Sequence, residues 1–265
     1  MVELALSLII FCLGLAIGSF LNVVIIRGNK GETLGGRSHC VNCNTFLSWL
    51  ELVPLASFIV QRGRCRRCAK KISWQYPLVE LACAIGYVSG FWALFYGNLS
   101  ITSFPLALAG IAIGIPAMLV IIVSDFRFQT IPDGATLILG LIGFGAVLQR
   151  SAAVPGETIR IALYDLGIAL LAAATLCSLW YFSRGQWMGF GDVKLILATS
   201  LIVGFPAAIA AFLFAFWSGS IAGILLILAG KKQMHQRIPF GPFIIFGAGL
   251  ACIPQSRLIF FSLLF

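Results

Sequence analysis

The sequence predicts an all-α polytopic membrane protein with about eight transmembrane helices and one small polar segment between the first two. Three observations predict it. The 265 residues are 60% apolar and only 10% charged, a balance foreign to soluble domains of this length. Runs of about 20 apolar residues recur along the chain, each long enough as a helix to cross a hydrocarbon core of roughly 30 Å. Only one sizeable stretch, residues 27–76, breaks that pattern, with clustered charge and paired cysteines.

The apolar runs fall at 4–26, 77–97, 102–124, 132–149, 158–182, 189–204, 206–230 and 239–264. The sixth and seventh form one long run, divided at the turn signal Gly204-Phe205-Pro206, and the sixth is short. The first run follows Met1-Val2-Glu3 without a positive n-region, and no small-residue cleavage site comes after it, so no cleavable signal peptide is evident. Its basic flank, Arg27 and Lys30, lies on the C-terminal side. That orients the amino terminus outward and the 27–76 segment into the cytoplasm. Fifteen of the 18 Lys and Arg then face the cytoplasm, and only Arg150, Arg160 and Arg257 face outward. The net charge of +9 thereby reduces to the positive-inside rule, and no nucleic-acid partner is needed to explain it. The chain divides into a first helix (1–26), a cytoplasmic segment (27–76) and a seven-helix membrane bundle (77–265).

The polar segment contains "SHCVNC" and "RGRCRRC", so Cys40, Cys43, Cys65 and Cys68 form two Cys-x2-Cys knuckles. Thiolates at that spacing close a tetrahedral zinc site, with Zn–S near 2.3 Å and no position left open for catalysis. The alternative is two disulfides or unrelated thiols, which a reducing cytoplasm disfavours. The segment is also too poor in apolar residues for a core of its own, so a structural metal would supply what packing does not. Cys12, Cys83, Cys177 and Cys252 lie inside apolar runs without shared spacing and read as small packing residues.

Of the nine acidic residues, Glu3, Glu157 and Asp165 fall near the outer side, where solvated or capping roles are expected, and Glu32 is solvated in the polar segment. Glu51, Glu80, Asp125, Asp133 and Asp192 lie at or near the cytoplasmic membrane face. Asp125 closes the third span in "VIIVSDFRFQTIPDG", and Asp192 opens the sixth in "GFGD". Both spans have their cytoplasmic ends there, so the two aspartates share one depth. Two carboxylates in one site do not both ionise readily; one keeps its proton while the other serves as base. Gly189 and Gly191 are expected to leave room for a substrate backbone beside Asp192. Against this stands the reading of Asp125 and Asp192 as interfacial charges, each bonded to a loop amide or to Lys194 or Arg127. Asp133, after Ile131-Pro132, suits a helix amino-terminal carboxylate. Glu80, about one turn inside the second span, is either functional or bonded to the polar segment.

The motifs taken together are more specific than any one of them. "GSFLNVVIIR", the two knuckles, "LSWLELVPLASF", "YPLVEL", "IPDG", "GFGDVKL" and "IPFGPF" occur in that order from Gly18 to Phe243. The set resembles the type IV prepilin peptidases, in particular the two-domain members that also methylate their product. Val41, Asn44 and Ala69 depart from the knuckle pattern, and alanine accepts a left-handed backbone less readily than glycine or asparagine.

The resemblance implies an aspartyl endopeptidase of the bacterial inner membrane, of the GxGD type. It implies cleavage of the leader from prepilins or type II secretion pseudopilins on the cytoplasmic side, with Asp125 and Asp192 as the catalytic pair. It further implies N-methylation of the new terminus from S-adenosylmethionine, associated with the cysteine-bearing segment. No nucleotide-binding glycine motif is present to locate that donor. Glu51 and Glu80 flank the segment as candidate bases for methyl transfer. A rival reading is an ion- or proton-coupled transporter using the buried carboxylates, with the zinc segment as a cytoplasmic clamp. The placement of both aspartates at one face, and the lack of a repeat between the halves, weigh against it. A purely structural membrane anchor leaves the paired carboxylates unexplained.

Overall fold

The computed structural model describes residues 1–96, 104–230 and 238–253. The basic loop with Lys231, Lys232, His235 and Arg237, and the end of the expected last span with Arg257, lie outside them. The described residues are helical, with extended backbone pairing only at two isolated bridges, His39–Phe46 and Arg64–Lys71.

The chain divides into two compact units, Met1–Val120 and Ile121–Phe265. In the first, α1 (Val2–Lys30) packs along α3 (Gln75–Tyr96). The contact is made through bare backbone. A Cβ on Gly14 would lie 2.5 Å from the Cα of Ala84, and one on Gly18 would lie 2.6 Å from the Cα of Glu80. Lipid tails are as apolar as any side chain, so close approach through small residues replaces hydrophobic driving force. α1 ends at Gly31 in the left-handed conformation, with Arg27 and Lys30 in its last turn. Arg27 does more than mark the positive side. Its guanidinium donates to the carbonyls of Leu34 (3.1 Å) and Arg37 (3.2 Å), drawing the start of the polar segment around the helix end.

Between α1 and α3 lie a 3₁₀ turn (Trp49–Leu52) and the single-turn α2 (Ala56–Val60). α4 (Phe104–Phe128) loosens into a π turn at Gly110–Gly114, inside its first-unit half. Tyr87 Oη donates to the Ala112 carbonyl at 2.7 Å, satisfying an acceptor within the turn where the i→i+4 ladder is broken.

The second unit holds α5 (Asp133–Ala152), α6 (Thr158–Phe182), α7 (Phe190–Val203), α8 (Ala207–Leu228) and α9 (Gly241–Ala251). α7 is the hub and touches α5, α6, α8 and α9. Eight of its 14 residues are buried, the polar Asp192, Thr199 and Ser200 among them. α8 and α9 meet through Ala210, Ala211, Ala215, Gly247, Ala248 and Ala251.

Among the described residues, six helices are long and apolar enough to span a membrane: α1, α3, α4, α5, α6 and α8. The sixth expected segment is the short α7, about 21 Å at 1.5 Å per residue. The eighth is described as the 11-residue α9. The turn expected at Gly204–Pro206 separates α7 from α8.

Of the two roles expected for Asp165, solvated or capping, the structure excludes the first, since it is 2% exposed. It is paired with Arg150, whose guanidinium caps the end of α7. Glu157, just before α6, pairs with Arg160.

Candidate active site

Asp125 and Asp192 are both buried in the second unit, and each is held by one backbone amide. Asp125 lies one turn before the end of α4. Its Oδ2 accepts the N–H of Gly241, the first residue of α9, at 2.8 Å. A Cβ at position 241 would sit 2.9 Å from that oxygen, so only glycine lets the helix start come this close. Pro242 follows at the helix entrance, where its missing donor costs nothing. Asp192 is the third residue of α7. Its Oδ2 accepts the N–H of the N-cap residue Gly189 at 3.1 Å, one half of a capping box whose other half glycine cannot supply.

The second oxygen of Asp192, Oδ1, is buried without a hydrogen-bond partner among the described residues. An unsatisfied buried oxygen costs roughly 1–3 kcal/mol, and more when charged.

Ile131 ties the two aspartates together. A Cβ on Gly191 would lie 2.9 Å from Ile131 Cβ, and one on Gly241 would lie 3.5 Å from Ile131 Cδ1. One side chain thus packs against the glycine beside Asp192 and the glycine bonded to Asp125. This revises the expectation for the glycines. The space at Gly191 is taken by Ile131 rather than left for a substrate. Position 189 has ordinary room, with Asp192 Oδ2 at 3.7 Å from a built Cβ.

Lys194 does not neutralise the pair. Its Nζ binds Asp133 Oδ1 at 2.7 Å, on the rim, where such a pair is worth under about 1 kcal/mol. Asp133 is the first residue of α5, the helix-terminal position its sequence context suggested.

In the first unit, Cys40, Cys43, Cys65 and Cys68 bring their sulfurs within 4.8 Å of one another. The Cys40 and Cys68 sulfurs are 3.9 Å apart. Tetrahedral coordination with Zn–S near 2.3 Å requires sulfurs about 3.8 Å apart, so the four residues fit zinc. The knuckles are built alike. The Cys40 and Cys65 amides donate to the carbonyls of Thr45 and Lys70, and the Asn44 and Ala69 amides return to Cys40 and Cys65. Both Asn44 (φ 53°) and Ala69 (φ 55°) are left-handed, so Ala69 takes the conformation it accepts least readily. The Thr45 hydroxyl and amide bring the Cys43 thiol down to about 6, and the amides of Cys68 and Arg67 lower Cys65. Those donors favour the thiolate at Cys43 and Cys65, whereas Cys68, despite the Lys70 amide that lowers it, is pushed up to about 11 by burial and the neighbouring cysteines.

Glu51 and Glu80 both serve the backbone here. Glu51 accepts from the Ser48 amide (2.8 Å) and hydroxyl (2.9 Å), which hold its carboxyl below the ordinary value. Glu80 is buried, and its Oε2 accepts the Leu55 amide at 2.8 Å, the bond to the polar segment that its position allowed.

Sequence reasoning missed Gly241, Ile131, Arg150 and Asp165. "IPFGPF" carried a signal in its glycine–proline helix start, but nothing local says which side chain the amide meets.

Two family models match successive parts of the chain. The model of the bacterial peptidase A24 N-terminal domain matches residues 12–94, and that of the type IV leader peptidase family matches residues 112–227. The chain is 32% identical over 265 residues to the prepilin leader peptidase/N-methyltransferase of Burkholderia pseudomallei (strain 1026b), covering 89% of this chain and 81% of the other. It is 27% identical over 254 residues to the protein of the same name from Bacillus subtilis (strain 168), covering 96% of each. The one from Aeromonas hydrophila is 30% identical over 279 residues, covering 92% and 89%. No solved structure matches the chain.

Proposed function

The chain belongs to the type IV leader peptidase family, and we propose on that premise that it removes the leader from prepilins or pseudopilins and N-methylates the new terminus. The observation that carries the peptidase reading is the pair of amide-anchored, buried aspartates flanking Ile131, one with an unpartnered oxygen. In this reading, the ionised carboxylate of the pair takes a proton from a water. The water oxygen then attacks the scissile carbonyl. The other, protonated carboxyl gives its proton to the departing nitrogen as the C–N bond breaks. The aspartates have exchanged their proton states, and the products are a leader carboxylic acid and an amine, which settle as a carboxylate and an ammonium when the acid's proton passes to the amine. The relatives compared above are all named prepilin leader peptidase/N-methyltransferase, so the transporter reading has no support and is dropped.

The zinc cluster supports a structural role, since four thiolates leave no open ligand position. S-adenosylmethionine would supply an activated methyl group to the amine. The chain must provide a base, because an ammonium cannot attack. Glu80 and Glu51 stand for that role. The buried Glu80 is the stronger of the two, because Ser48 makes Glu51 a poorer proton acceptor.

By the same reading the protein sits in the bacterial inner membrane with its amino terminus outside and the site facing the cytoplasm, as the basic residues require. The test is incubation of purified protein with a pilin precursor, with and without S-adenosylmethionine, following shortening by gel and methylation by mass. An intact precursor would sink the reading.

A further inference from the structure

We propose that the Trp49–Val60 hairpin is an interfacial membrane element, with its apolar face in the acyl boundary of the bilayer and its polar face toward the zinc knuckles. The first observation is depth. The Leu55 amide at the hairpin's tip is bonded to Glu80, the sixth residue of α3. At 1.5 Å per residue, Glu80 lies roughly 7 Å past the first residue of that membrane-length helix. The tip therefore descends beside α3 rather than standing off in the cytoplasm.

The second observation is strain spent to keep it there. Leu55 has φ 56° and ψ −49°, with the Ala56 amide returned to the Pro54 carbonyl at 2.6 Å. This is a γ-turn that L-residues rarely adopt, and it persists only where surroundings over-determine it. Here the bond to Glu80 does so.

The third observation is the sorting of side chains. Trp49 (75%), Ile59 (71%) and Val60 (68%) are exposed, as is Trp74 (69%) just before α3. Phe58 and Ile59 line an apolar groove with Trp74, Leu78 and Leu81, continuing a face of α3 that carries exposed Leu78 and Ile85. Arg62, Arg64 and Lys71 line the same groove and add cations to it. Glu51, the hairpin's one charge, faces away from it and lines a separate polar cavity with Ser48, Arg66 and Arg67. Tryptophan and aliphatic residues on one side, together with cations, are what a headgroup–acyl boundary accommodates. The bilayer that holds α3 is the surface this face meets.

The occupant is the phospholipid surface, and the competing occupant is the apolar helix of a pilin precursor. The experiment places p-benzoylphenylalanine at Ile59 in the full chain, reconstituted in nanodiscs of phosphatidylethanolamine and phosphatidylglycerol. Lys70, exposed on the second knuckle, serves as the control site, and Val60 replaces Ile59 if that variant does not accumulate. Irradiation should yield phospholipid adducts at Ile59 about tenfold above those at Lys70, whether or not precursor is present. Equal lipid adducts at the two sites, no adduct at Ile59, or a precursor adduct in place of the lipid one would each overturn the proposal. None of these outcomes depends on cleavage, so failure here leaves the peptidase reading intact.

Discussion

Arg150 Nε donates to Asp165 Oδ2 at 2.8 Å, across the opposite end of α7 from Asp192. The rest of the guanidinium donates to the carbonyls of Ile202 (2.8 Å) and Leu201 (2.6 Å), and Asp165 Oδ1 accepts the Phe205 amide at 2.7 Å. One ion pair thus caps the last carbonyls of α7 and holds the turn into α8. Because α7, at about 21 Å, is shorter than a hydrocarbon core of about 30 Å, hydrophobic length does not fix its depth. The clamp and the surrounding helices do.

Removing one partner strands the other. Asp165→Ala should destabilise the protein by about 3–5 kcal/mol, as expected for breaking a buried pair. Asp165→Asn keeps an acceptor for Phe205 and should fall between Asp165→Ala and the parent. Thermal unfolding of the purified proteins in detergent gives the order, and a melting point unchanged in Asp165→Ala would show the pair to be idle.

Asn at Asp125 or Asp192 should abolish precursor cleavage while the protein still inserts, and the double variant should be no worse than either single. Asp133→Asn removes only a rim pair with Lys194 and should change the rate less than about threefold. Clear cleavage by Asp192→Asn would end the aspartyl mechanism.

The glycines around the pair should rank by space rather than by motif. Gly241→Ala pushes a methyl into the Asp125 carboxylate and Gly191→Ala pushes one into Ile131, so each should lower kcat by at least about tenfold, roughly 1.4 kcal/mol in the barrier. Gly189→Ala, with ordinary room, should cost much less. Steady-state kinetics on one precursor gives the ranking, and the reverse order would mean that position 189 must stay open for substrate.

Cys65→Ser should loosen the zinc segment and reduce methyl transfer strongly, with cleavage falling less. A structural metal would supply folding free energy to the segment, while the membrane helices satisfy their own backbone. Equal loss of both activities in one well-folded preparation would show that the segment completes the protease site.

Ala69→Gly should do the opposite and tighten metal binding. Relief of a left-handed alanine is worth about 1 kcal/mol, close to fivefold in affinity, readable by competition with a chromogenic chelator. Unchanged affinity would place the strain elsewhere.

Much of this protein was legible in one dimension because a bilayer imposes one-dimensional rules. Membrane helices must be long, apolar and internally bonded, so composition and run length marked the spans, and the Gly204–Pro206 turn divided α7 from α8. The knuckle spacing is local, so the Cys40, Cys43, Cys65 and Cys68 cluster was recognisable in the sequence, as was the helix-terminal Asp133. Asp125 and Asp192 stood out because charge at a membrane-length run is costly and needs a reason. What only the tertiary structure decided were contacts between residues far apart in sequence. Gly241 reaches Asp125 across 116 positions, Ile131 fills the space beside Gly191, and Arg150 turns inward to Asp165 and the end of α7. A local pattern reports which groups are costly to bury; which partner offsets that cost is set by the packing of helices, and that is a property of the folded chain alone.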